Sequence, residues 1–198
     1  MDACIQAYIQ WVSQNPILSA FVQFAILGPA GEIVAASIIV RRPALPCSSL
    51  QMLGKVFAWA ILGVVIKYGF VGMKGFVKAL LDNQMLPAWF SVADTASQAF
   101  LAADTASQAF LGRIGFAFAV SVFTNVLFGP QMMLFHRLED NLILGTKSYA
   151  GIEKAFRTLI WFWIPAHTVT FCLPAPFQIG LAALWGLVLG VILGLSKK

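Results

Sequence analysis

The sequence predicts an all-α protein, a multi-pass transmembrane helix bundle of five spans, and three observations predict it. Of the 198 residues, 60% are hydrophobic and 11% charged, where a soluble domain carries roughly a quarter charged residues. The mean hydropathy is +0.83, which leaves too little polar surface to coat one compact body in water. The few charges stand between long charge-free runs. Together these features exclude a disordered chain, argue against an ordinary soluble enzyme, and make residues 1–198 one transmembrane domain.

The stretch from Ala3 to Gly31 carries no charge, and the apolar run continues past Glu32 to Val40 before Arg41-Arg42-Pro43 stops it. Proline suits the first position of a helix, so Pro16 opens the first span, 16–40. The second span, 52–73, is interrupted by Lys55 and Lys67, each expected to snorkel toward its nearer interface. No residue between Arg113 and His136 is charged, which gives a third span at 114–135. The runs 158–173 and 177–195 are also charge-free, and Pro174-Ala175-Pro176 between them forces a turn, so they form a fourth and a fifth span in a short hairpin. A four-span arrangement stays open, in which the proline-broken pair is a re-entrant hairpin or the first segment lies in the interface.

The basic residues set the orientation. With the C-terminus inside, the inner side receives Arg41, Arg42, Lys55, Arg137, Lys147, Lys154, Arg157, Lys197 and Lys198, and the outer side only Lys67, Lys74, Lys78 and Arg113. The positive-inside rule therefore favours N-out and C-in, in the cytoplasmic membrane if the protein is bacterial. Scattered at segment ends rather than gathered with aromatics, these cations explain the formal charge of +5 without a nucleic-acid partner. Residues 75–112 form the longest region outside the spans and contain a repeat, Ala93 to Leu101 recurring as Ala103 to Leu111. The offset does not match whole helical turns, so the copies cannot form one stripe. They read either as a duplication in a tolerant loop or as an interfacial helix resting on lipid through Leu86, Trp89, Phe90, Phe100 and Phe110.

Polar groups inside a bilayer are costly, so their depths carry information. At about 1.5 Å per helical residue, Glu32 lies about 12 Å from the inner end of the first span, Asn125 about 16 Å from the inner end of the third, and His167 about 14 Å from the start of the fourth. All three fall near the midplane of a roughly 30 Å core. They are expected to form a hydrated polar layer, to which Thr124, Thr168 and Thr170 add hydroxyls. Alternatively they only tie helices together, each interhelical hydrogen bond giving about 0.6 kcal/mol. For Glu32 the carboxyl must be protonated, wet, or paired with Lys55 or His167.

Other features have plainer readings. His136-Arg137-Leu138-Glu139-Asp140 crowds ionisable groups where the third span leaves the membrane; His136 and Glu139 alone are too few ligands for a metal, and no metal or cofactor is expected. Gly28-Pro29, Gly129-Pro130 and Pro165 are expected to kink their helices, which is tolerated where the broken backbone faces a cavity. Ala182, Gly186, Gly190 and Gly194 repeat at four-residue spacing, a ridge for close helix packing within the bundle or between copies in a homo-oligomer. Cys4, Cys47 and Cys172 are far apart and read as free thiols. The start, Met1 to Ile9, holds Asp2 and no basic stretch of a secretory signal, and the end is not a peroxisomal address. There is no Gly-x-Ser-x-Gly, P-loop, His-Glu-x-x-His or dinucleotide fingerprint, so the protein is not expected to be an enzyme.

The run Trp161-Phe162-Trp163-Ile164-Pro165-Ala166-His167-Thr168-Val169-Thr170-Phe171-Cys172-Leu173-Pro174, followed by an apolar helix ending in Leu195-Ser196, resembles the signature of the small peroxisomal and inner-mitochondrial membrane protein family. That family includes the twenty-two-kilodalton peroxisomal membrane protein and its mitochondrial relatives. Trp163, Pro165, Phe171, Pro174 and Leu195-Ser196 match its pattern. His167 stands where the family has Gln, Thr170 where it has Asn, and Gln178 where it has Arg. Upstream, Asn125 to Asp140 with Gly129-Pro130 is similar to the family's Gly-Pro segment leading to Tyr-x-x-Leu-Asp. The resemblance covers about a third of the chain and implies a small multi-pass protein, with four or so spans, of a family reported as channels for small solutes. It does not imply catalysis, and without an organelle address a bacterial member is expected.

From the residues and the resemblance together, the expected function is a channel or pore-like protein for small solutes or ions, embedded in a lipid bilayer and lined near its midplane by Glu32, Asn125 and His167. The rival expectation is a non-transporting scaffold or assembly factor that binds partner membrane proteins through the Gly186, Gly190 and Gly194 ridge and the Gly75 to Gly112 segment. A membrane enzyme using His136, Glu139 and Asp140 with a metal is a third reading.

Overall fold

A computed structural model describes residues 3–87, 90 and 106–195. These residues form helices and no strand: α1 (Ala3–Gln14), α2 (Pro16–Val40), α3 (Ser49–Asp82), α4 (Ala106–Phe123), a π turn Thr124–Phe128, α5 (Gly129–Leu144), α6 (Ile152–Thr158), a second π turn Leu159–Trp163, α7 (Ile164–Cys172) and α8 (Ala175–Leu195). Pro16–Val40, Ser49–Asp82 and Gly112–Leu144 are long and apolar enough to cross a membrane by length and composition.

Helix α2 runs between the expected limits. Pro16 opens it, and Arg41 closes it in the left-handed conformation at φ 57°, where the amides of Arg41 and Arg42 both donate to the Ser37 carbonyl. Pro29 lies inside α2 without ending it. Helix α3 is longer than the expected span, 34 residues from Ser49, because Ser48 and Gln51 form a capping box: the Ser48 hydroxyl accepts from the Gln51 amide and the Gln51 side chain accepts from the Ser48 amide. Residues 75–82, expected outside the spans, continue this helix. The first copy of the repeat lies outside the described residues, and the second is described only from Ala106, where α4 begins.

The two proline positions are absorbed by π turns rather than left as open breaks. Pro130 and Pro165 offer no amide, and in an α-helix their rings would collide with the carbonyls of Val126 and Trp161. The chain widens instead: the Gly129 amide donates to the Thr124 carbonyl and the Ile164 amide to the Leu159 carbonyl, five residues back in each case. The two turns lie side by side, and a Cβ on Gly129 would come within 2.8 Å of Leu159 Cδ2. At the expected proline turn, α7 ends at Cys172, Leu173 is extended, and α8 starts at Ala175.

Helix α2 is clasped between α3 and α8, α4 packs along α7, and the start of α3 meets α5. The core uses small residues at the crossings, with Ala20, Ala117, Ala119, Ala182 and Ala183 buried beside Phe24, Phe70, Val120, Phe171 and Ile179. This composition lets helices approach closely where no hydrophobic drive separates them from lipid. Helix α1, which the sequence reading does not set apart from the apolar run, is tied down by Tyr8. Its hydroxyl donates to Gln23 Oε1 at 2.9 Å, and its ring stacks on Phe177 with centroids 5.7 Å apart. Large apolar side chains such as Ile26, Phe57, Val71, Val126 and Ile160 stand exposed around the outside, as expected of a surface that meets lipid.

Candidate functional site

A cavity of about 330 Å³ lies between α2, α3, α5, α7, α8 and the two π turns. It brings together three of the four residues expected in the polar layer: Glu32, Asn125 and His167 all line it. Thr170 is not among its lining residues. It is fully buried, its hydroxyl donates to the Ala166 carbonyl at 2.9 Å and accepts from Trp185 Nε1 at 3.1 Å, and so it joins α7 to α8.

One lining residue, Glu32, belongs to an ionic cluster. Lys55 is 4% exposed, and its ammonium lies 2.7 Å from Glu32 Oε2 and 2.7 Å from Asp140 Oδ1. The expectation that Lys55 snorkels to the interface is therefore corrected: the side chain turns into the bundle, where two carboxylates compensate its desolvation. Of the partners left open for Glu32, the structure selects Lys55. The other oxygen, Oε1, accepts from Trp59 Nε1 at 2.7 Å, and the Trp59 ring packs against His136 with centroids 4.5 Å apart. Gly28 makes this possible, because a Cβ there would overlap the Trp59 indole.

The ligand atoms of Glu32, His136 and Asp140 lie within 4.8 Å of one another, so Glu32 of α2 stands where the His136, Glu139 and Asp140 set weighed from sequence has Glu139. The Lys55 ammonium already bridges the two carboxylates, so a metal ion would have to displace it. Glu139 Oε2 is 3.7 Å from His136 Nδ1, beyond hydrogen-bond reach.

Elsewhere on the wall, the π turns set the geometry. Asn125 Nδ2 donates to the Ser121 carbonyl at 2.8 Å, which orients the amide, and approaches His167 Nδ1 at 3.1 Å. With the amide so oriented, His167 Nδ1 accepts and Nε2 carries the proton. The His167 imidazole is enclosed by aromatic rings, Trp163 at 5.0 Å, Phe70 at 5.3 Å and Phe171 at 6.0 Å between centroids. Replacing Asn125 by Leu is expected to cost about 1–3 kcal/mol, because it strips a donor from half-buried His167 and from the Ser121 carbonyl. Unfolding in detergent measures this, and a variant as stable as the native chain would contradict the assignment.

Sequence reasoning misses two polar contributors. Thr124 enters it only as a neighbouring hydroxyl, yet it is 2% exposed and lines the cavity. Trp163 enters it as a deep-lying, packing tryptophan and as part of a family-like pattern, yet its Nε1 is buried without a protein partner and the residue lines the cavity. Toward the expected outer side, Lys74 donates to Gln178 Oε1 and lies 5.7 Å from the centroid of Phe171. Of the glycine ridge, Gly186 faces the cavity, and a Cβ there would meet nothing within 4 Å; the surroundings of Gly190 and Gly194 lie outside the described residues. The close approaches fall on other glycines. A Cβ on Gly31 would stand 3.0 Å from Leu187 Cα, and one on Gly63 would stand 2.7 Å from the Ala20 carbonyl oxygen.

Comparison with protein-family models, with curated proteins and with solved structures finds no match to this chain.

Proposed function

We propose that the protein is an integral membrane protein of five spans, N-terminus outside and C-terminus inside, that passes small solutes or ions along the cavity between α2, α3, α5, α7, α8 and the π turns. One observation carries this reading. Glu32, Asn125 and His167, selected by their depth in three separate segments, line a single cavity. A structure that used these groups only to tie neighbouring helices would need no shared space between them. The backbone also supports the reading, since irregular turns at membrane depth are tolerated where they face a cavity, and both π turns contribute to its wall. The resemblance to the small peroxisomal and inner-mitochondrial membrane protein family points to the same activity.

Reconstitution into vesicles tests this proposal. Flux of small solutes is expected for the native protein and is expected to change on Glu32→Gln, which removes the charge on the cavity wall that Lys55 and Trp59 share. Equal leak through the native protein, the variant and protein-free vesicles would contradict it.

A further inference from the structure

A second hollow, a groove of about 490 Å³, lies between α2 and α3 and is lined by Phe21 and Ala25 of α2 and by Leu50, Leu53, Phe57 and Ala60 of α3. Leu50, Leu53 and Phe57 are exposed, so the groove opens on the apolar outer surface. From Leu50 to Ala60 it follows about 15 Å of helix, half of a roughly 30 Å hydrocarbon core and so the depth of one leaflet. The register of the two helices shows what stands at its end. Lys55 meets Glu32, and Gly63 stands against Phe24, so the helices run antiparallel with Leu50 level with Ser37. Arg41 and Arg42 follow about one helical turn further on. Both are exposed, and no carboxylate among the described residues pairs with either. The turn that carries them is held in place: both of their amides donate to the Ser37 carbonyl, and the Ala44 amide donates to Ser37 Oγ at 3.1 Å.

We infer that this groove holds one acyl chain of an anionic phospholipid, whose phosphate lies on Arg41 and Arg42. In a bilayer some hydrocarbon chain fills any apolar groove, so the groove alone selects no lipid. The cations at its end select the headgroup. A guanidinium matches the phosphate oxygens in a fork, and its weak hydration lets it leave water for them. A zwitterionic lipid brings its own ammonium to the same two cations, whereas a lipid of net negative charge does not. Two arginines on a turn fixed by backbone hydrogen bonds also lose less freedom on binding than two on a loose loop. The inference rests on the chain spanning a membrane and is independent of transport, since the groove lies outside the cavity between the helices.

Titration of the full chain in non-ionic micelles with dioleoyl phosphatidylglycerol or dioleoyl phosphatidylcholine, read by native mass spectrometry, tests the inference. The first phosphatidylglycerol is expected to bind about ten-fold tighter than the first phosphatidylcholine. Arg41→Gln and Arg42→Gln are each expected to weaken phosphatidylglycerol about five-fold, the effect of one cation beside an anionic lipid, and to leave phosphatidylcholine close to native. Lys154→Gln is the control for diffuse attraction, since α6 packs on α5 and the second π turn, and it is expected to change neither lipid. Ala25→Phe fills the groove and is expected to weaken both lipids about three-fold through lost chain contacts. Phe57→Ala, which removes an exposed side chain of the groove wall, is expected to do the same and keeps the test intact if Ala25→Phe does not fold. Equal affinity for the two lipids, a loss in the Lys154 variant as large as in the arginine variants, groove variants that bind like the native chain, or a dimer that forms in place of the lipid complex would each overturn the inference.

Discussion

Replacing Lys55 by Met is expected to destabilise the protein by about 3–5 kcal/mol, the usual cost of removing one partner from a buried ion pair. Lys55 is almost wholly buried, and its ammonium stands 2.7 Å from each of two carboxylates on different helices, α2 and α5. Without it, the carboxylates of Glu32 and Asp140, each about a fifth exposed, face each other unneutralised, and one must take up a proton, draw in water or move away. The loss therefore reports unpaired charge rather than lost packing, since the Met side chain fills similar volume. Adding Glu32→Gln and Asp140→Asn to the same chain removes both charges, while the new side-chain amide at position 32 can still accept from Trp59. Most of the lost stability is expected to return. Denaturation of the three chains in mixed micelles checks this, and a Lys55→Met protein as stable as the native one would show that the cluster holds nothing together.

The second large effect is expected at the crossing of α2 and α3. A Cβ on Gly63 would lie 2.6 Å from Phe24 Cβ and 2.7 Å from the Ala20 carbonyl oxygen. Backbone cannot rotate away as a side chain can, so Gly63→Leu must push the two helices apart. Overpacking of this kind costs about 1–3 kcal/mol, occasionally more. Because Glu32 and Lys55 sit on the same two helices, the variant is also expected to lengthen their 2.7 Å contact and lower flux. Gly72 serves as the control, since a Cβ there meets nothing within 4 Å, and Gly72→Leu is expected to leave stability and flux close to native.

The contrast between what can and cannot be read from the sequence follows from these contacts. The limits of α2 are legible because they are written locally, in Pro16 at its start and Arg41-Arg42-Pro43 at its end. The start of α3 is legible in principle as well, through Ser48 and Gln51, although hydropathy alone places it later. The depth of Glu32, Asn125 and His167 follows from helical rise. The direction of Lys55 does not follow, because snorkelling and inward pairing differ only in which face α3 turns to its neighbours. That face is set by its stripe of Lys55, Trp59, Leu62, Ile66 and Phe70, spaced three or four residues apart, of which Trp59, Leu62, Ile66 and Phe70 line the cavity. The glycine spacing in α8 is similarly ambiguous: a four-residue ridge permits close packing, but Gly186 opens on space while Gly31 and Gly63 meet their neighbours. The π turns lie beyond reach, since Gly-Pro and Ile-Pro announce a disturbed helix without telling whether it kinks or widens.

Transport requires the cavity to be a path open to water, and Gly186 tests this most directly. A cysteine there fits without collision and places one thiol on the cavity wall, in a chain whose Cys4, Cys47 and Cys172 have been replaced by serine. The measurement is the reaction of that thiol with a charged, membrane-impermeant reagent in vesicles, followed by solute flux. Modification at 186 with loss of flux is the predicted result, while a cysteine at the outward-facing Ile26, 63% exposed on the apolar surface, stays unreacted in lipid. A thiol at 186 as inert as the one at 26, or one that reacts while flux continues undiminished, would contradict the account.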